Sequence, residues 1–224
     1  MKLLIKFPTR NRVKKFFDVL DLYYDYLEDK DNTEICVSLD TDDKTMNNDA
    51  IFKRLETYDN LSYFVSNNKS KIQAINADLE EFDGDFDIIL LASDDMVPQI
   101  KGYDNIIREN MEKYYPDTDG VLWFFDGNRR DLNTLCILGK KYYDRFGYIY
   151  HPGYKSVYVD NEFTQVANRL KRQTFIDQCI IKHEHPDMPQ FRDRIDNLYV
   201  ENSKYYPADH SFFMLRQKNN FGLK

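Results

Sequence analysis

Two adjacent carboxylates, Asp94 and Asp95, come shortly after a strand-like run, Phe86–Leu91, in which five of six residues are apolar. Neighbouring anions repel each other unless a positive charge lies close to both. The nearest basic residue downstream is Lys101, beyond a proline, so we expect the compensating charge not to be a neighbouring side chain. A divalent ion that also binds phosphates needs only one or two carboxylates. The doublet therefore suggests a metal–diphosphate site, with a turn or a helix N-cap as the common alternative.

Two of the four histidines, His183 and His185, lie just past another apolar stretch. In an extended segment, side chains two residues apart point to the same face. A solvated strand end would explain the pair without any ligand. Imidazole suits Mn²⁺ less well than carboxylate but is tolerated. Either histidine could therefore complete a metal site at Asp95, and His185 is favoured because it lies further past the strand.

The elements that must position these residues alternate between strand and helix patterns in the first half of the chain. Strand-like runs cover Lys2–Phe7, Glu34–Leu39, Leu61–Val65 and Phe86–Leu91, and helical periodicity covers Arg12–Glu28, Thr45–Leu55 and Lys69–Leu79. This order predicts an α/β fold with a mostly parallel sheet and helices on both faces. The four strands are followed by TRNR, DTDD, SNNK and SDD. Ligands of such sheets bind beyond the carboxyl ends of the strands. The predicted site is therefore formed by residues of four segments that are separate in the sequence.

The second half is less regular. We expect a helix over Ile100–Lys113, a helix over Asp160–Leu170, and strands at Gly120–Phe125, Thr134–Leu138 and Phe175–Lys182. No repeat or Pro/Gly linker interrupts the chain, so a single domain over residues 1–224 is the simplest account. It would comprise a first half (1–99), a second half (100–192) and a helical tail (193–224).

Other polar residues after the strands could hold a phosphorylated ligand. The turn Thr9–Arg12 either enters a helix or offers arginines and free N–H groups to a phosphate. Asp40 either forms a turn or accepts a hydrogen bond from a base or ribose. Lys71 lies near a helix N-terminus, where a cation is unfavourable, which is a small argument for an anionic partner.

A candidate general base lies in YVDNEF, where Asp160 and Glu162 fall near a helix start. Capping is the ordinary explanation for acidic residues in this position. The catalytic interpretation is a carboxylate that deprotonates an acceptor hydroxyl.

Composition narrows the possible functions. Thirty-one basic against 38 acidic residues leave a net charge of −7, which argues against binding nucleic acid. No apolar run approaches the roughly 18 residues of a membrane span, so no integral membrane segment is expected. The three cysteines predict buried free thiols and a cytoplasmic location. The chain contains no GxxxxGK[ST], GxGxxG, GxSxG or HExxH motif, so P-loop, dinucleotide-binding, serine hydrolase and zincin functions lack their signatures.

Taken in order, these residues resemble the GT-A-fold glycosyltransferases and are similar to the family 2 enzymes. The resemblance covers Lys2 to His185 and rests on FPTRNR, on the aspartate that ends SLD, on KIQAIN, on SDD in place of a DxD motif, and on DNEF. It implies a GT-A (Rossmann-like) fold, a mostly parallel sheet flanked by helices, with a short helical C-terminal tail. In such a domain residues 1–99 would be the nucleotide-binding half and residues 100–192 the acceptor half.

The resemblance also implies roles for individual residues. Asp95 would bind the metal, Mn²⁺ or Mg²⁺, with His185 or His183 as a further ligand, and Asp160 would be the catalytic base ahead of Glu162. The residues implied in nucleotide binding are Pro8, Thr9, Arg10, Arg12, Asp40, Lys71 and Asp94. The sequence departs from the family pattern at Ser93, which replaces the first acid of a strict DxD, and at Val159, which replaces the acid that usually precedes the base.

The activity that the resemblance implies is a metal-dependent glycosyltransferase of the hexosyltransferase type. It would move a sugar from a nucleoside-diphosphate sugar, by resemblance a UDP-sugar, to a hydroxyl of a glycan or other acceptor, with inversion at the anomeric carbon. Two alternatives stay open. One is a nucleotidyltransferase on a similar sheet, which would attack phosphorus. The other is a non-catalytic module that binds a nucleotide or a carbohydrate.

Overall fold

The computed structural model describes residues 1–223, so Lys224, the end of the predicted tail, lies outside the described residues. The strands are β1 (Leu3–Pro8), β2 (Thr33–Asp40), β3 (Leu61–Ser66), β4 (Ile88–Leu91), β5 (Met96–Pro98), β6 (Val121–Phe124), β7 (Ile137–Gly139), β8 (Gln173–Ile176) and β9 (Ile181–His183). The α-helices are α1 (Val13–Asp25), α2 (Asp49–Leu55), α3 (Lys71–Asn76), α4 (Tyr103–Tyr114), α5 (Lys140–Asp144), α6 (Val159–Arg169), α7 (Asn197–Ser203) and α8 (Tyr206–Lys218). Short 3₁₀ helices cover Lys30–Asn32, Pro189–Arg194 and Asn220–Gly222.

The central sheet has seven strands in the order β3-β2-β1-β4-β7-β6-β8. The first four of these are mutually parallel, β7 runs antiparallel to both of its neighbours, and β8 is parallel to β6. The predicted α/β fold with a mostly parallel sheet is therefore confirmed. Because β1 to β4 point the same way, their carboxyl ends share one edge, and the polar segments that follow them meet there.

Strand β1 runs through the middle of the sheet and is buried on both faces. Leu3, Ile5 and Phe7 pack on one side together with residues of α1, whereas Leu4 packs on the other side with residues of α3 and α6. A parallel strand covered by helices on both faces has a nearly continuous apolar sequence rather than an alternating one. The run KLLIKF meets this requirement except at Lys6, which is fully buried.

Two predicted helices are shorter than their periodic patterns. The helix expected over Thr45–Leu55 begins only at Asp49, because the side chain of Asn48 accepts the N–H of Ile51 and caps it. The helix expected over Lys69–Leu79 ends at Asn76. In both segments the apolar periodicity extends beyond the end of the helix. Periodicity reports which residues are buried and not which residue caps the helix.

The strand expected over Phe175–Lys182 is wrong as a single element. It divides into β8, in the main sheet, and β9, which pairs antiparallel with β5 in a separate two-stranded ribbon. The N–H of Gln178 bonds to the carbonyl of Ile176 at 2.8 Å and turns the chain between them. The three-residue strand β5 was not expected at all.

The cysteines are free thiols. Cys36 and Cys136 are buried, as expected, whereas Cys179 is half-buried. Within residues 1–223, no helix combines the length and the apolar character that crossing a membrane requires.

Candidate active site

Asp95, His183 and His185 form one cluster. Asp95 lies in the turn between β4 and β5, and His183 is opposite Met96 in the β5–β9 ribbon. The Oδ2 atom of Asp95 is 3.7 Å from Nε2 of His183, and the two imidazole rings are 5.1 Å apart between centroids. One ligand atom from each of the three residues lies within 4.8 Å of the others. One carboxylate oxygen and two imidazole nitrogens at this spacing fit a single divalent ion such as Mn²⁺.

The charges of this cluster are coupled. Burial opposes the ionisation of Asp95, but the charge and hydrogen bond of His183, helped by Lys71, hold the pKa of Asp95 well below its usual range. Burial likewise opposes the charge of His183, yet Asp95 raises the pKa of His183 above the ordinary value. Burial and the charge of His183 lower the pKa of His185. Both shifts favour an ion pair between the ionised Asp95 and a protonated His183, in which the charge of the imidazolium compensates that of the carboxylate.

Asp94 is compensated by cations from the start of α1. Its Oδ1 accepts a hydrogen bond from Arg12 at 2.9 Å and lies 3.4 Å from Nζ of Lys15. Burial raises the pKa of Asp94 despite the opposing charges of these two residues, and Asp95 adds to the rise. The charge that compensates Asp94 is therefore not a neighbouring side chain, as expected. Arg12 and Lys15 are distant from Asp94 in the sequence, so the residues next to Asp94 give no indication of this pairing.

Some polar groups in the turn after β1 have no side-chain hydrogen-bond partner among the described residues. Pro8 ends β1 and is paired with Ser38, and the next residue, Thr9, donates its N–H to the carbonyl of Ser38 at 3.0 Å. The Thr9 hydroxyl is buried and has no partner among the described residues. Asn11 has φ 58°, and the N-cap of α1 is Arg12, without any side-chain hydrogen bond to the first turn. The N–H groups at the start of α1 thus have no side-chain cap.

Asp40 lies at the end of β2 between two donors. Arg10 donates to its Oδ2 at 2.9 Å and also to Asp42 at 2.5 Å. Asn68 donates its side-chain amide to the Oδ1 of Asp40 at 3.0 Å. Asn68 was not singled out from the sequence, although it belongs to the SNNK segment that follows β3. Lys71, the first residue of α3, is exposed, and its charge is among those that lower the pKa of Asp95.

The C-terminal tail reaches the site through Asp196, which sequence reasoning missed. Arg12 donates its Nε and Nη2 to the two oxygens of Asp196 at 2.6 and 2.8 Å. Asp196 also accepts the N–H of Tyr199 at 2.8 Å and so caps α7. The contact joins residues 184 positions apart, and no local signal in the sequence marks it.

Asp160 lies in the first turn of α6 and is half-buried. The N-cap of this helix is Tyr158, with φ 65°, so Asp160 is a residue of the first turn and not the N-cap itself. Its carboxylate accepts the N–H of Asn161 at 2.9 Å. The pKa of Arg129 is raised, mainly by its hydrogen bond to Asp131 and also by the charge of Asp160.

Glu162, the second candidate base, is committed elsewhere. It is 5% exposed and accepts hydrogen bonds from Tyr154 at 2.7 Å and from Arg216 at 2.6 Å. A buried carboxylate held by an arginine and a phenol serves to join α6 to α8 and has no free oxygen for an incoming hydroxyl.

Comparison with protein-family models gave no match, and comparison with the sequences of curated proteins gave none either. Solved structures do match. The mannosyltransferase PcManGT from Pyrobaculum calidifontis, in complex with GDP-Man and Mn²⁺, superposes with a TM-score of 0.64 at 16% identity over 81% of this chain and 56% of its own. TarS 1–349 from S. aureus gives 0.61 at 17% identity over 84% of this chain and 61% of its own, and its complex with UDP-GlcNAc gives 0.62 at 16% identity over 81% and 58%.

The matched region is thus between 56% and 61% of the length of these solved structures. At identities of 16 to 17% the likeness concerns the fold, and it agrees with the strand order and the parallel pairing of β1 to β4. The chain has a GT-A-like glycosyltransferase fold.

Proposed function

We propose that this protein is a metal-dependent glycosyltransferase. It transfers a sugar from a nucleoside-diphosphate sugar, a UDP-sugar as the first candidate, to a hydroxyl group of a glycan or other acceptor, with inversion at the anomeric carbon. The observation that carries the proposal is the cluster of Asp95, His183 and His185, whose ligand atoms lie within 4.8 Å of one another at the carboxyl edge of the sheet. A nucleotide-sugar ligand of such a sheet is expected at this edge.

The surroundings of the cluster suit a nucleoside diphosphate. The uncapped first turn of α1 offers N–H groups to phosphate oxygens, and Arg10 and Arg12 just before it add positive charge to this edge of the sheet. The buried Thr9 hydroxyl without a protein partner is available to the same ligand. Asp40, flanked by Arg10 and Asn68, can accept an N–H of a base, and Asp94 can accept a ribose hydroxyl.

The solved structures that share the fold support this choice of ligand. PcManGT was determined with GDP-Man and Mn²⁺, and TarS with UDP-GlcNAc and with UDP. The donor set of this chain favours Mn²⁺ over Mg²⁺, because Mg²⁺ takes oxygen ligands almost exclusively whereas Mn²⁺ tolerates imidazole.

The proposed reaction assigns a task to each group. Asp160 accepts the proton of the acceptor hydroxyl. The oxygen of that hydroxyl attacks the anomeric carbon from the side opposite the diphosphate. The bond from that carbon to the diphosphate oxygen breaks, and attack from the opposite side inverts the configuration. Arg12 and the first N–H groups of α1 stabilise the leaving diphosphate. Mn²⁺ held by Asp95, His183 and His185 would supply further positive charge to the diphosphate.

A screen of nucleotide sugars for metal-dependent release of the nucleoside diphosphate tests the proposal, together with calorimetry of UDP binding with and without Mn²⁺. We expect UDP to bind only with the metal, and one nucleotide sugar to release UDP. Binding restricted to nucleoside triphosphates would instead favour a nucleotidyltransferase. Binding of a glycan without metal or nucleotide would favour a non-catalytic module.

The substitution Asp95→Asn should abolish Mn²⁺-dependent UDP binding, because an amide oxygen carries no charge to offset the dehydration of the ion. Circular dichroism should show an unchanged fold. Asp18→Asn is a suitable control, since Asp18 is an exposed carboxylate on α1 that pairs with Lys14. Undiminished Mn²⁺-dependent binding in the Asp95 variant would refute the metal assignment.

A further inference from the structure

A buried carboxylate outside the cluster, Asp126, organises the loop that follows β6. Asp126 is 2% exposed. Its Oδ1 accepts the N–H groups of Asn128 and Arg129 at 2.8 and 2.7 Å, and its Oδ2 accepts the hydroxyl of Thr134 at 2.6 Å. Three hydrogen bonds to one buried side chain hold both ends of this loop segment. An ionised carboxylate makes stronger bonds of this kind than a neutral acceptor.

The same loop holds the backbone of His183 on both sides. The carbonyl of Asp126 accepts the N–H of His183 at 2.9 Å, and the side-chain amide of Asn128 donates to the carbonyl of His183 at 2.5 Å. Gly127 makes the approach possible: it has φ 85°, and a Cβ at this position would lie 3.0 Å from Cγ of Lys182. The imidazole of His183 is therefore placed by the conformation of residues 126–128 as well as by the short β5–β9 pairing.

We propose that Asp126 is a positioning residue that sets His183 for metal binding. This inference rests on the proposed function. Asp126 touches neither metal nor substrate and acts through backbone groups.

The test compares variants of the full chain by Mn²⁺ titration in the presence of UDP, using electron paramagnetic resonance to measure free Mn²⁺. Asp126→Ala removes the three hydrogen bonds, and we expect its Mn²⁺ dissociation constant to rise about 10-fold or more, the scale found when residues supporting a metal ligand are lost. Asp126→Asn keeps an oxygen that can accept both N–H groups, so it should restore most of the affinity. Asn128→Ala, which removes one bond to His183, should give an intermediate loss.

Asp119→Asn is the matched control. Asp119 is also a buried aspartate, 3% exposed, but it pairs with Arg145 and Arg172, and within residues 1–223 none of its side-chain hydrogen bonds or ion pairs involves the loop. We expect it to lower the melting temperature without changing Mn²⁺ affinity. A folded Asp126→Ala protein with wild-type Mn²⁺ affinity, or equal losses of affinity in the Asp119 control, would overturn the inference while leaving the proposed function intact. Failure of the wild-type protein to bind Mn²⁺ with UDP would overturn both.

Discussion

At the residue scale, the partners of each carboxylate decide what it can do. Asp94 is held by Arg12 and Lys15, and Asp95 faces two imidazoles. Glu162 is locked by Arg216. Among the ion pairs of residues 1–223, none involves Asp160. It is the acidic residue of α6 that remains available to a substrate proton, which supports its assignment as the base over Glu162.

Replacement of Asp160 by asparagine should lower the transfer rate by roughly 10²-fold or more, because a positioned general base contributes on this scale. Donor affinity should be nearly unchanged, since Asp160 lies outside the metal cluster and the turn after β1. Asparagine keeps an oxygen that can accept the N–H of Asn161, so loss of that helix-start hydrogen bond would not account for a change in rate. Parallel measurement of turnover and UDP affinity checks the prediction, and full activity in this variant would contradict it.

At the element scale, short and distant segments complete the site. The strands β5 and β9 have three residues each, yet their antiparallel pairing brings the turn at Asp95 next to His183. The tail contributes through α7, whose N-cap Asp196 is bound by Arg12 at the start of α1. The N-terminal arginine that we assign to the diphosphate thus also anchors the C-terminal segment.

The substitution Asp196→Ala should loosen α7. It removes both a helix cap and an ion pair, and a cap alone is worth about 1 kcal/mol, which corresponds to roughly five-fold faster amide exchange. Hydrogen exchange followed by mass spectrometry should show the increase over 197–203. Asn48→Ala removes a comparable cap from α2 and should leave exchange in α7 unchanged. Equal exchange of α7 in the Asp196 variant and the wild type would show that Asp196 does not anchor this helix.

At the scale of the whole molecule, a buried charge lies inside the sheet. Lys6 on β1 is 0% exposed and donates to the carbonyl of Ala77 at 2.6 Å. It lies 3.7 Å from Asp78, and Ser38 bonds to both Lys6 and Asp78. Burial lowers the pKa of Lys6 although Asp78 and Cys36 oppose the change. The network ties β1 and β2 to the segment that follows α3.

Replacement of Lys6 by methionine should destabilise the protein by about 3–5 kcal/mol, because it leaves the buried Asp78 without its cation. Urea unfolding measures the loss. The double variant with Asp78→Asn should lose less than the sum of the single variants, since neither charge then remains. Lys14→Ala breaks an exposed ion pair with Asp18 and should change stability by no more than about 0.5 kcal/mol. A Lys6 variant as stable as this control would contradict a structural role for the network.

By itself, the sequence determined the elements whose signal is local. The apolar runs predicted β1, β2, β3 and β4, their alternation with helices predicted the parallel sheet, and the polar residues after each strand predicted where a site would form. These features follow from burial on two faces and from chain direction, which neighbouring residues encode. The fold class and the edge of the sheet that carries Asp40, Asp94 and Asp95 could thus be predicted without coordinates.

Only the tertiary structure decided which side chains meet. Arg12 with Asp196 and Lys6 with Asp78 are pairs of charged groups far apart in the chain. Apolar periodicity says that a residue is buried but not what it touches, and a three-residue strand such as β5 has too few positions to show a period. The partners are selected when the sheet and the ribbon pack, because buried polar groups must then be paired with whatever the fold brings within reach.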